Sequence, residues 1–537
     1  MNSIARISQS FRGIRLKMYK ISKYRSFNLH SKKMHSGSKD FINDLPDALL
    51  CYILSYLTTK EAASTSLLSR RWRYLLAFLP NLEFDDSIFL HPDKRVKTPL
   101  HEVGFVGFVP WTSNKRMKLS TSFTDFVDRI LDLQGNYHLH KFSLKMVRRY
   151  DYVDPDCVIH WIHKVLVRGV SDLQLVMDLK DVKPVPARIF FSQTLVRLVM
   201  NIRDGPAIDV ADVHLPKLKT LHLESVMFKE EHIGFSKLLS GCHVLEELVL
   251  GRIWSCVWTS CTVSVATLKR LTSCCKNLRL WGIHKTSNIM SFDIPNLVYL
   301  EYAEVIADKY LKVNFDSLVE AKIDIWMTDR QLKEVRVRDN ESSTELEDQF
   351  VQGDEKNNMV GNATDFIVGI SNVRVLYLSA DSLEVLTYCC KPIPIFNNLT
   401  HLTIKSNPKI GWESLPKLLQ NSPNLETLVF QGLLYKATEK KDVATCLSSS
   451  PVKVIEIFFS GEQIEKQMEV VKHFLETMPH LEQLVLYYDS SFDGDVKVSW
   501  QLQMLTRVAS PRCKVQLIPI ASALSVSYTV PTSVSTK

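Results

Sequence analysis

His160 and His163 stand three residues apart, one helical turn, a spacing that lets two imidazoles share a metal ion. Two ligands do not complete a tetrahedral set, so a structural or surface pair is the expectation. Cys256 and Cys261 lack zinc-finger spacing and have no matching second pair. The eleven cysteines are an odd number without framework spacing, Cys274–Cys275 and Cys389–Cys390 being adjacent. With no secretory signal, reduced buried thiols are expected. A glycine-rich phosphate loop, a zinc-protease helix motif and a nucleophile elbow are all missing. The expectation is therefore a binding protein without a catalytic site, a cofactor or a metal.

Polar side chains that could bind something recur instead inside a repeat. An apolar-x-x-apolar-x-apolar pattern starts at Leu139, Val170, Leu195, Leu218, Leu245, Leu268, Leu297, Leu318, Val373, Leu399, Leu425, Val452 and Leu481. All but two of the intervals fall between 21 and 29 residues, the range of leucine-rich repeats. The 55 residues between Leu318 and Val373 leave room for one degenerate unit, and Cys275-x-x-Leu278-x-Leu280 competes with the start at Leu268. Each unit offers one short strand whose alternate residues point inward, and stacking closes a continuous core. The Asn expected two residues beyond the strand is recognisable only at Asn407. An irregular α/β leucine-rich-repeat solenoid follows, with a long sheet face suited to an extended protein surface. His222, Glu224, Glu247, Glu301, Lys322, Asp324, His401 and Thr403 are the outward candidates for binding a protein substrate.

Ahead of the repeats, residues 40–72 read DFINDLPDALLCYILSYLTTKEAASTSLLSRRW and specify a small all-α module. Pro46 and Asp47 suit a helix's first turn, and Thr58 with Glu61 forms a capping-box pattern for a second helix. Leu49, Ile53 and Leu57 make one apolar stripe, and Leu50, Leu54 and Tyr56 its neighbour. A piece of about 40 residues is too small to cover both. Periodicity alone leaves two outcomes open, burial inside the chain or against a partner.

The order Leu45-Pro46-Asp47, followed at the family's distance by Ser66-Leu67-Leu68-Ser69-Arg70-Arg71-Trp72-Arg73, resembles the F-box of plant F-box/leucine-rich-repeat proteins. The resemblance covers residues 41 to 77. It implies docking onto the Skp-type adaptor of a cullin-scaffolded ubiquitin ligase through Leu45, Pro46, Leu49, Ile53, Leu54, Leu57, Leu68 and Trp72. Leu68 and Trp72 are equally candidates for the module's own core. In this setting Arg70, Arg71 and Arg73 are a solvated or interface-rim face. A segment beginning at Cys446-Leu447-Ser448-Ser449, with a helix and strand from Val471 to Leu481, resembles the FBD segment of such proteins. The family's Trp ahead of that Cys-Leu pair is absent, and Val443-Ala444 stands where it has Val-Pro. The implied role is substrate receptor, thioester chemistry belonging to the recruited conjugating enzyme. The alternative is a repeat scaffold with no ligase role, its helices only a cap.

The net charge of +8 hints at nucleic acid until it is located: residues 1–39 carry +10, so residues 40–537 carry −2 and no overall basic field. That leader suits a disordered segment, an upstream extension with Met34 as working start, a transit peptide or a nuclear-import signal. Nucleus and/or cytoplasm is the expected location, with organelle targeting by residues 1–39 as the alternative. No apolar stretch is long enough to span a bilayer, which needs about 20 residues. Neither a membrane nor a nucleic acid is an expected partner. The expected organisation is leader 1–39, F-box 40–80, a linker leading into the repeats 81–138, repeats 139–440, closing FBD-like repeats 441–515 and a tail 516–537. Residues 328–365 form a charged surface insertion, ESSTELEDQFVQGDEKNN at its centre. Lys115-Arg116-Met117-Lys118 reads as a solvated basic turn.

Overall fold

In the computed structural model, all thirteen apolar starts from Leu139 to Leu481 stand two residues ahead of a β-strand and are buried. The described residues are 42, 44–87, 113–146, 154–178, 185–203, 205–251, 260–274, 289–341, 361–434, 450–459, 464–478, 480–489 and 513–520. The chain divides into two compact units, residues 1–53 and 54–537. The leader, the tail beyond 520 and most of the central charged run lie outside the described residues.

Helices α1 (Asp47–Leu54), α2 (Thr59–Thr65) and α3 (Arg70–Leu75) come first, then β1 (Asn81–Asp85), α4 (Ser113–Gln134), β2 (Lys141–Met146), α5 (Pro155–Val167), β3 (Asp172–Asp178) and β4 (Arg197–Arg203). The chain continues through β5 (Thr220–Glu224), α6 (Glu231–Ser240), β6 (Glu247–Gly251), β7 (Ser260–Ser264), β8 (Arg270–Cys274), β9 (Ile289–Asp293), β10 (Tyr299–Ala303), β11 (Lys309–Asn314) and β12 (Glu320–Ile323). It then runs through α7 (Asp329–Glu341), α8 (Thr364–Gly369), β13 (Val375–Leu378), α9 (Ala380–Cys389), β14 (His401–Lys405), α10 (Leu415–Gln420), β15 (Thr427–Gln431), β16 (Val454–Phe458), α11 (Ile464–Thr477), β17 (Gln483–Asp489) and β18 (Lys514–Ile520).

Fifteen strands form one parallel sheet in the order β1-β2-β3-β4-β5-β6-β8-β10-β12-β13-β14-β15-β16-β17-β18. The register aligns Leu221, Leu248, Leu271, Leu300, Ala321, Leu376, Leu402, Leu428, Ile455 and Leu484 in one row, every member buried. A parallel sheet needs its inner face covered. Several crossovers supply a helix; the three between β6 and β12 supply β7, β9 and β11, which pair as a second parallel sheet in the order β11-β9-β7.

Several expectations change. β12 and β13 are direct neighbours, Glu320 opposite Val375, so no further strand comes between them in the sheet, and residues 342–360 of the gap lie outside the described residues. Leu268 precedes β8, while the competing start at Cys275 lies outside the described residues. Asn407 accepts the N–H of Lys409 (3.0 Å), a local turn that bridges no units. Bridging is done one residue ahead of the first apolar position: Asn296, Asn398 and Asn424 donate their amides to the carbonyls of Ala266, Asn372 and Asn397. Thr194 and Thr267 do the same to Val170 and Leu245. Lys115 to Lys118 lie within helix α4, not a turn, and α7 occupies the start of the charged insertion.

The sheet begins earlier than Leu139: β1 pairs with β2, Asn81 opposite Lys141, and α2 covers its far side. The buried hydroxyl of Thr59 accepts the N–H of Glu83 at 2.6 Å. This bond satisfies a donor that no strand reaches. Thr59→Val is expected to leave that N–H unpaired and lower the unfolding free energy by about 1–3 kcal/mol, read by denaturant melts.

Candidate protein-docking faces

The first face is built on α1. The carbonyl of Pro46 accepts the N–H groups of Leu49 (3.0 Å) and Leu50 (3.1 Å), starting the helix where proline costs no hydrogen bond. Consecutive leucines then separate: Leu50 is fully buried and Leu49 is 48% exposed. Pro46 and Tyr52 are exposed, Leu45 and Ile53 half-buried.

In the second unit, Thr58 and Glu61 close a capping box at α2: each side chain accepts the other's backbone N–H. Ser69 caps α3 by accepting the N–H of Trp72. Leu57 is half-buried, and Leu67 and Leu68 are exposed. Leu54 is buried and presents no side chain to a partner, a correction to the expected contact set; Trp72 is buried too, which puts it on the core side of the two roles open to it. Burial inside the chain and exposure to solvent thus both occur, residue by residue.

The second face is the open side of the large sheet. Its middle row runs, in register, through Glu83, Ser143, Gln174, Val199, His222, Val249, Thr272, Glu301, Lys322, Tyr377, Thr403, Val429, Glu456, Val485 and Gln516. His222, Glu301, Lys322 and Thr403 therefore share one row. Glu247 and His401 lie in the row two positions earlier, Glu224 two positions later, and Asp324 just past β12. Seven of the eight are half-buried or exposed. Thr403 is buried, and belongs to the support of the face.

The centre is tied by polar contacts that the sequence reading did not single out. Tyr299 donates its hydroxyl to Glu301 (3.0 Å), while Arg270 lies 4.1 Å over its ring and Lys322 5.4 Å. Burial first, then the Glu301 charge, raises the Tyr299 pKa, so its proton stays on as a donor. Asn201 donates to Glu224 at 2.8 Å. Burial lowers the His222 pKa, partly opposed by Glu224. Towards the end of the sheet the outward residues become aromatic, Phe458 and Tyr487 stacking at 4.2 Å. Counting two residues on from each strand start would have found Thr272 and Tyr377; Arg270 and Tyr299 are the strand-start residues.

His160 and His163 share helix α5, where His163 contacts Arg188, and the described residues contain no group of three or more side chains able to hold a metal. No helix among them is long and apolar enough to cross a membrane. Cys242 and Cys389 are buried and their pKa values rise to about 12, that of Cys390 to about 11, burial being the main cause. These thiols should resist iodoacetamide at pH 8 in the folded protein and react after denaturation, as counted by intact mass.

An F-box domain model matches residues 42–83, and a model described as "FBD-associated F-box protein At5g56370, LRR repeats" matches residues 158–309. The chain is 70% identical over 493 residues to "Putative F-box/LRR-repeat protein At3g59160" of Arabidopsis thaliana, covering 92% of this chain and 99% of that protein. The chain belongs to the plant F-box/leucine-rich-repeat family. It is 68% identical to "Putative F-box/LRR-repeat protein At3g59170" over 90% of this chain and 99% of that one. It is 43% identical to "Putative F-box/FBD/LRR-repeat protein At3g59240" over 89% and 90%, both relatives from Arabidopsis thaliana. F-box domains generally bind Skp-type adaptors, and F-box/LRR proteins are generally substrate adaptors. The two faces therefore belong to a protein-interaction architecture: an F-box and a repeat sheet on one chain.

Proposed function

We propose that this chain is the substrate-recognition subunit of a Skp-cullin-F-box type ubiquitin ligase. The F-box docks the adaptor, and through it the cullin; the open sheet face holds a protein substrate so that one of its lysines meets the conjugating enzyme. The observation that carries the reading is the exposed Leu49 beside the buried Leu50: an F-box helix keeps a large apolar side chain in water, where a partner's apolar surface gains about 25 cal/mol per Å² by covering it. Catalysis by proximity asks no catalytic group of the receptor. The adaptor contact falls to Leu45, Pro46, Leu49, Ile53, Leu57 and Leu68, and the substrate contact to His222, Glu224, Glu247, Glu301, Lys322, Asp324 and His401. Residues 441–515 act as FBD-like closing repeats, β16 to β18 continuing the same sheet. Nucleus and/or cytoplasm is the location that goes with this role.

The alternative, a repeat scaffold without a ligase role, draws on the Thr59–Glu83 bond, by which α2 caps the sheet edge. Co-expression with a Skp-type adaptor and a cullin separates the two. A stable ternary complex is expected; a chain that purifies alone, with α1 protected from hydrogen exchange, would favour the scaffold.

A further inference from the structure

The F-box match ends at residue 83, but an exposed aromatic run that starts inside it does not. Tyr74 of α3 is 62% exposed, and its ring meets Phe78 edge-on at 4.8 Å. Phe78 in turn meets Tyr137 edge-on at 4.7 Å, and Tyr137, beyond α4, is 53% exposed. Leu133, one turn earlier on α4, is 43% exposed. Three rings in edge-to-face contact thus lead from F-box to repeat domain with both ends in water.

Tyr137 is also held in place. Its N–H donates to the carbonyl of Gln134 (3.3 Å), and its own carbonyl accepts the Nε–H of buried Arg168 (2.8 Å). Arg168 donates a second bond to Gln134 (2.7 Å), and Gln134 donates to the carbonyl of Leu79 (3.0 Å), at the end of the F-box helices. A buried guanidinium and amide therefore fix the loop that carries an exposed ring, and fix it to the segment that follows α3. Stability accounts for the buried members of this set but not for the ring left in water. Preorganised aromatic side chains are what interface centres use, because little entropy is lost on docking.

We propose that the Skp-type adaptor's footprint runs past the F-box along Tyr74 and Phe78 onto Tyr137 and Leu133, so that the repeat domain supplies part of the adaptor interface. This rests on the adaptor-docking reading above. Tyr74 lies on α3 inside the F-box match, and a domain that generally binds Skp-type adaptors assigns the occupant; charge agrees with it: Arg70 and Arg73 are exposed on α3 beside Tyr74, which suits a partner surface with an apolar centre and an acidic rim.

The test is titration calorimetry of the full chain against a recombinant Skp-type adaptor, with melting measured on each variant. Tyr137→Ala is expected to weaken binding at least tenfold and Leu133→Ser about threefold, while Tyr137→Phe keeps wild-type affinity. Arg73→Glu is expected to weaken binding and flatten its salt dependence. Wild-type affinity in folded Tyr137→Ala and Leu133→Ser overturns the extended footprint and leaves adaptor docking standing. So does a loss confined to a Tyr137→Ala protein that melts early, if Leu133→Ser binds normally. A wild-type chain that binds no adaptor overturns both.

Discussion

Leu49→Asp is expected to abolish capture of a Skp-type adaptor, weakening binding by more than about 100-fold, while the melting curve stays that of the wild type. The side chain is half in water, so the substitution removes no packed core. Its new carboxylate lies in the first turn of α1 beside Asp47, where a negative charge favours the helix dipole. In a docked complex the same carboxylate would be buried without a partner, at several kcal/mol. The neighbouring Leu50→Asp supplies the contrast. Leu50 is fully buried, so that variant should lose its fold and its adaptor together. Pull-down paired with circular dichroism distinguishes the two residues, and equal binding by Leu49→Asp would remove the docking face.

These two leucines also mark the limit of what periodicity can say. Spacing puts Leu49 and Leu50 on adjacent stripes, but which stripe is covered depends on what folds over it, a tertiary fact. The repeat starts were legible because each needs an apolar anchor two residues before its strand, and the chain keeps that requirement from Leu139 to Leu481. β1 obeys it too, at Leu79-x-x-Leu82-x-Phe84, but the next start is Leu139, a spacing outside the repeat range that hides its kinship. β18 hides for another reason: Arg512 stands where the apolar anchor belongs. The strands β7, β9 and β11 look like ordinary connections in one sequence, since they fall between the repeat starts and no pattern there announces a second sheet. Register was the largest gap. Alternation groups outward polar residues such as His222 and Lys322 without saying which stand side by side, whereas the sheet sets them in one row with Thr272, Glu301 and Tyr377. Alternation also assigned Thr403 to solvent, yet it is buried, because alternation fixes a face and not its exposure.

Phe366→Ala is expected to lower the unfolding free energy by about 3–5 kcal/mol, the range for emptying a buried aromatic site. Phe366 of α8 is fully buried with the rings of Tyr310 at 5.0 Å, Tyr302 at 5.1 Å, Phe292 at 6.2 Å and Phe315 at 6.4 Å. Those rings come from both sheets, so one side chain joins the strand-built crossovers to the main sheet. Relaxation into the hole is blocked: Gly369 packs so closely on Val313 that even a methyl group there would collide, which leaves α8 little room to shift. Phe366→Leu keeps most of the volume and should cost less than half as much. A second readout follows from the tyrosines. Burial raises the Tyr302 pKa well above its ordinary value and that of Tyr310 to about 12. The folded state thus keeps both protons when the unfolded chain begins to lose them near pH 10, so stability should fall as pH rises above about 10. With Tyr302→Phe and Tyr310→Phe that alkaline loss should shrink, while Phe366→Ala should lower stability at neutral pH as well. A Phe366→Ala protein as stable as wild type would mean that the central repeats are held by the sheet backbone and not by this cluster.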